Sequence, residues 1–184
     1  MHTESGSPAV VGLPGRGPGH AGHYLDAGAA GLVVPGVERP AHVRRILERA
    51  RYDRRRSLAL GTRAGGFGTR SRADHVARAD AVPVVPQVET AAGVAAVDRI
   101  LAVEGVDALL VGPGDLAFSL GVAPGVDAVE TAVDRTLRAA RAGARAGPRT
   151  GPTAPPRPRP RGRASFATWG SDLGALAGAF ADAL

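Results

Sequence analysis

The chain has 184 residues, 44% of them hydrophobic, which is enough for one domain with a sizeable core. It has no cysteine, and all 23 of its basic Lys+Arg residues are arginine, so a lysine Schiff base, lysine-bound pyridoxal, a thiolate nucleophile, zinc–thiolate ligation and disulfides are all excluded. The formal charge of +6 is unevenly placed: residues 136–163 hold eight arginines and no acid, so the remainder is close to neutral. No segment approaches the roughly 18 apolar residues of a membrane helix. The opening MHTESGSPAV lacks the charged and apolar regions of a signal peptide. A cytoplasmic protein without a membrane partner is the expectation.

Short apolar runs alternate with helical patterns, the mark of βα units and a parallel sheet in the α/β class. Residues 1–8 read as a disordered N-terminus and 9–146 as the main folded unit. Ala9–Leu13 is the first expected strand, followed by a helix from about Pro18 to Gly28 with proline in its first turn. Gly31–Val34 is the second strand. Between Arg39 and Tyr52, Val43, Ile46, Leu47 and Ala50 recur at helical spacing. Residues 53–70 form a long polar loop rich in Arg and Gly, of a length that compact domains keep for function or leave disordered. A short helix at Arg72–Ala79 leads into PVVPQV (83–88), a buried-strand pattern. Thr90–Val103 reads as one helix capped by Thr90, Asp107–Val111 as a strand, and Val126–Ala146 as a helix. The Pro/Arg-rich segment 147–163 has no apolar periodicity. Order resumes at 164–184 with SFATW as a last strand and a helix from Ser171 to Leu184. The spacing of these units suits a (β/α) barrel better than an open two-sided sheet, although periodicity does not separate the two.

Glu89 and Asp115 occupy equivalent places in successive units. Glu89 directly follows PVVPQV, and Asp115 follows DALLV across a GPG turn. In a parallel barrel both carboxylates stand at the C-terminal rim, where such folds keep their active sites. Two oxygen ligands with positions left open for water and substrate suit Mg²⁺, Mn²⁺ or Co²⁺. A plainer reading fits the same spacing: Glu89 caps its helix and Asp115 closes a turn.

The segment PQVETAAGVAAVDRILAVEGVDALLVGPGDLAFSLG (86–121) closely resembles the core of the HpcH/HpaI aldolase/citrate lyase family. LDAGAAGLVVPGVE (25–38), ARYDRRRSLALGTRAGGFG (50–68) and GSDLGALA (170–177) are similar to it more weakly. The GPGDL form resembles the aldolase branch more than the citryl-CoA lyase branch, with a CoA-thioester lyase of the citrate lyase beta type as the alternative. The resemblance implies a (β/α)8 TIM barrel of the phosphoenolpyruvate/pyruvate type and a divalent metal on Glu89 and Asp115. It implies cleavage of a 4-hydroxy-2-oxo acid to pyruvate and an aldehyde through a metal-stabilised enolate. It also implies that Gln87 orients the metal ligand, that backbone around Gly112, Pro113 and Gly114 contacts the substrate carboxylate, and that the chain forms a homo-oligomer.

Three departures set expectations of their own. The arginine that the family pattern places at the end of the first strand here falls on Gly12, and Arg16, four residues later, is the candidate to take its catalytic role. The family's histidine lies before that strand, where this chain has only MHTESGSP; His2 reads as a disordered residue near a frayed terminus rather than a base, and His20, His23, His42 and His75 fall on helices as structural residues. The first two βα units are therefore expected to be missing. The Pro/Arg-rich segment stands where the seventh strand belongs, and proline cannot donate to a central ladder. A catalytically inactive remnant that still binds metal is thus the second reading. An RNA- or membrane-surface-binding arm at 147–163 is set aside, because arginine without interleaved aromatics gives only salt-sensitive attraction.

Overall fold

A computed structural model describes residues 8–52 and 56–142. Expectations for His2, the N-terminus, the 147–163 segment and the last strand and helix lie outside these residues.

Four parallel strands form the sheet among the described residues: β1 (Val10–Gly12), β2 (Gly31–Val34), β3 (Val84–Val88) and β4 (Leu110–Val111). Their spatial order β1-β2-β3-β4 repeats their order in the chain. A doubly wound sheet reverses its strand order at a switch point, whereas a barrel adds each strand beside the last. The sheet is therefore an arc of a (β/α) barrel, four of the eight strands that closure requires. No helix among the described residues is long and apolar enough to cross a membrane.

The register aligns Gly12 with Val33, and Val33 with Val85, in a row across the sheet. Alternation along a strand puts Gln87 and Glu89 on the same face as Val85. The opposite face carries Leu32, Val34, Val84 and Val88, all fully buried in the main hydrophobic core beneath the helices. Seven helices are described: α1 (Ala21–Asp26), α2 (Pro40–Ala50), α3 (Arg72–Asp80), α4 (Ala91–Ala95), α5 (Val97–Leu101), α6 (Pro113–Leu120) and α7 (Asp127–Ala142). The expected helix near Pro18 begins as a 3₁₀ turn over Pro18–His20 before becoming α1. Helix α2 starts on Pro40 and buries Val43, Ile46 and Ala50 at the expected spacing. Val43 and Ile46 each contribute roughly 1.5–3 kcal/mol through burial.

Two elements depart from expectation. The helix expected over Thr90–Val103 is split into α4 and α5 at Ala96, whose backbone (φ −99°, ψ 2°) leaves the helical region, although Thr90 caps as expected by accepting from the Gly93 amide at 3.0 Å. The expected strand at Asp107–Val111 is shortened to Leu110–Val111. The Asp107 carboxylate accepts the Val84 amide at 2.9 Å and so takes the place of a backbone partner. That same substitution bears on Pro86, which sits inside a central strand. Val84 and Val88 turn their backbone groups towards the β4 side, so Pro86 between them does too. The β3–β4 pairing begins at Gln87–Leu110, just past the point where a Pro86 N–H would have been required.

Candidate metal centre

Glu89 follows β3 immediately and is only 9% exposed. Its Oε1 accepts the Gly36 amide at 2.6 Å, from the turn after β2, and its Oε2 accepts Nε2 of Gln87. Gln87 lies two residues back on the same strand face, so strand geometry alone delivers that contact. Gly112, at the end of β4, completes the enclosure. A Cβ there would sit 2.8 Å from Glu89 Oε2 and 3.0 Å from Gln87 Nε2, so only glycine lets the turn lie against the carboxylate.

Asp115 is in the first turn of α6 and exposed to solvent. Its charge reaches Glu89. The Glu89 pKa is pushed above the usual carboxylate value, first by burial and then, among the raising influences, by the Asp115 carboxylate. The Gly36 amide, the Gln87 amide and the Arg16 guanidinium oppose that rise. The buried Glu89 carboxylate thus feels a second negative charge, that of Asp115, at the same end of the sheet.

Arg16 comes over from the loop after β1. Its Nη1 pairs with Glu38 Oε2 at 2.6 Å, and both Arg16 and Glu89 approach within 4 Å of the space above Gly36. The structure therefore brings Gln87, Glu89, Asp115, Gly112 and Arg16 to one end of the sheet. Of the three backbone positions Gly112, Pro113 and Gly114, the first two cannot serve as donors. The Gly112 amide is spent on Val88 O at 3.1 Å, and proline has none. Only Gly114, in the open first turn of α6, offers an amide that the ladder does not take.

The sequence reading missed Gly36 and Glu38. Both lie just beyond β2, the rim position that singled out Glu89 and Asp115, and that position was the available signal. His42 is buried, and its Nε2 accepts Arg39 Nε at 2.7 Å. Burial first, and the Arg39 charge second, hold its pKa below the ordinary value, so the ring is a neutral brace for the Arg39 side chain. His20, His23 and His75 lie on helical elements as expected, with His75 bonded to the Tyr52 hydroxyl at 2.8 Å.

The family profile described as HpcH/HpaI aldolase/citrate lyase matches residues 2–147. The chain belongs to the HpcH/HpaI aldolase/citrate lyase family. It is 38% identical over 146 residues to a hydroxypyruvate/pyruvate aldolase of Roseovarius nubinhibens, covering 74% of this chain and 56% of that protein. It is 37% identical over 119 residues to a 4-hydroxy-2-oxovalerate aldolase of Novosphingobium aromaticivorans, covering 62% and 44% respectively. The chain thus spans about half the length of these curated relatives. A crystal structure of an HpcH/HpaI aldolase/citrate lyase family protein from Burkholderia cenocepacia superposes with a TM-score of 0.85 at 34% identity, over 97% of this chain and 72% of that one. On β1, a Cβ at Gly12 meets no described atom within 4 Å.

The donor set fits a hard divalent cation. No group of three or more His, Cys, Asp or Glu residues is gathered among the described residues, so a cation here would take two carboxylates and leave its other positions to water and substrate. Each Glu89 oxygen uses one lone pair on an amide and keeps another.

Proposed function

We propose that this end of the sheet is a divalent-metal site of a carbon–carbon lyase that cleaves a 4-hydroxy-2-oxo acid to pyruvate and an aldehyde. The observation that carries this reading is the buried Glu89 carboxylate, fixed by Gly36 and Gln87 and repelled by Asp115. The names of the aldolase relatives support the reaction class and favour it over a CoA-thioester lyase.

Glu89 and Asp115 would hold the cation. When bound, it supplies a Lewis acid for the 2-oxo group and so stabilises an enolate. The chain's own residues do the positioning. The Gly36 and Gln87 amides lock the Glu89 carboxylate and favour its charged form against the cost of burial. The Gly114 amide, at the positive end of α6, would receive a substrate carboxylate. Arg16, steadied by Glu38, places a positive charge beside Glu89, suited to a developing oxyanion. A homo-oligomer suits Phe118, which is 89% exposed only three residues beyond Asp115.

A second reading rests on Gly12: a family member that keeps the metal pair without catalysis. Proton–deuterium exchange at C3 of pyruvate, followed by NMR with Mn²⁺ present, separates the two. Exchange that disappears in Glu89→Gln supports the lyase. Metal binding without exchange supports the non-catalytic reading, and neither binding nor exchange overturns the metal site itself.

A further inference from the structure

A cavity edged with arginines lies at the opposite end of the sheet from Glu89. Gly28, Ala29 and Ala30, which precede β2, and Val82, which precedes β3, form part of its wall. Its volume is about 370 Å³, within the range of small-ligand sites. Arg56, Arg63, Arg70, Arg78 and His75 line it, and among the described residues no acidic one does.

The four arginines are incompletely neutralised. Arg56 pairs with Asp26 at 2.6 Å, while Arg70 and Arg78 share the single carboxylate of Asp74, at 3.5 and 2.9 Å. Arg63 has no ion-pair partner among the described residues and lies along Gly28, whose φ of +93° keeps that wall free of a side chain. Arg56 is the most telling. Its side chain is 4% exposed, held by Asp26, by the Ala50 carbonyl at 3.0 Å and by the Tyr52 ring 4.3 Å below its guanidinium carbon. Yet its Nε is buried without a hydrogen-bond partner, and so is that of Arg70. Buried donors left unmatched in native proteins are rare and costly. Here two belong to guanidinium groups lining one cavity.

We propose that this cavity binds a phosphate-type oxyanion, either the free ion or the phosphate of a small monoester. Four guanidinium groups that share the carboxylates of Asp26 and Asp74 among the described residues leave an excess of positive charge on the cavity, which suits the charge and several oxygens of a phosphate, whereas a carboxylate offers two oxygens to a single fork. The bound anion ties together the α1–β2 turn, the segment around Arg56–Arg70 and helix α3. It acts independently of the carboxylate pair at the other end of the strands.

The test is a thermal melt of the full chain in EDTA, titrated with inorganic phosphate or glycerol 3-phosphate at constant ionic strength. The expected result is a saturable rise in Tm beyond that given by NaCl. Arg63→Gln, at an exposed position, weakens the apparent affinity about tenfold or more, as loss of a charged hydrogen bond does. Arg70→Gln does the same, and Glu89→Gln leaves the response unchanged. Tighter binding of the monoester identifies an esterified ligand, and tighter binding of the inorganic ion identifies the free one. A rise matched by NaCl, one undiminished in Arg63→Gln, or one lost in Glu89→Gln overturns the proposal.

Discussion

Gly112 lies against Glu89 so closely that a single methyl group would fall 2.8 Å from Oε2. The end of β4 and the end of β3 are thereby joined through one carboxylate, and the α6 turn that carries Asp115 starts from that contact. Gly112→Ala should therefore act on the site first. The overpacking costs about 1–3 kcal/mol, and the displaced carboxylate should bind Mn²⁺ at least tenfold more weakly. Calorimetric titration of the variant checks this, with Gly114→Ala as the control because a Cβ there meets nothing.

Gln87 tests positioning without adding bulk. Its Nε2 holds Glu89 Oε2, so Gln87→Leu removes an orienting donor while the strand remains. Loss of such a partner typically costs about 10- to 100-fold in metal affinity. Global stability should change little by comparison, which urea denaturation without metal measures.

His42 sets a pH dependence. Its pKa is lowered in the folded protein from an ordinary 6.5, by burial first and by Arg39 second. A depressed folded pKa means that the unfolded state binds the proton more readily. The His42 contribution is therefore intact above about pH 6.5 and lost as pH falls through the lower folded value. Melts from about pH 7.5 to about pH 5 should show a decline in Tm for the native chain that is shallower in His42→Gln.

Gly12 offers a gain-of-function test. It aligns with Val33 and Val85 across the sheet, and its Cβ direction is open among the described residues. Gly12→Arg should fold and should raise the rate of pyruvate C3 exchange in Mn²⁺. An unchanged rate would mean that Arg16 already supplies the charge or that another group limits the reaction.

Much of the fold was legible because periodicity reports burial directly. The run of β2, the apolar stripe of α2 and the core face of β3 all follow from where Leu32, Ile46 and Val84 must go. The break at Ala96 was not legible, because nothing in AAGVAAVDRIL interrupts the helical pattern. The late start of β4 was hidden because a side chain, Asp107, stands in for a strand residue. At the site, Glu89 was readable from its place directly after a strand, whereas Gln87 came only from the family resemblance. The Gly36 amide and the approach of Arg16 were not, since both come from loops whose path is set by tertiary packing.

The central claim is that Glu89 and Asp115 together hold a divalent cation. The most direct test is the melting temperature of the native chain, Glu89→Gln and Asp115→Asn, each with Mn²⁺, with oxalate as a mimic of the pyruvate enolate, and with both. Ligands that bind only the folded state raise Tm by linkage. The account predicts a rise with Mn²⁺ in the native chain, a further rise when oxalate is added, and no rise in either variant. A native Tm indifferent to Mn²⁺, or an equal rise in both variants, would contradict it.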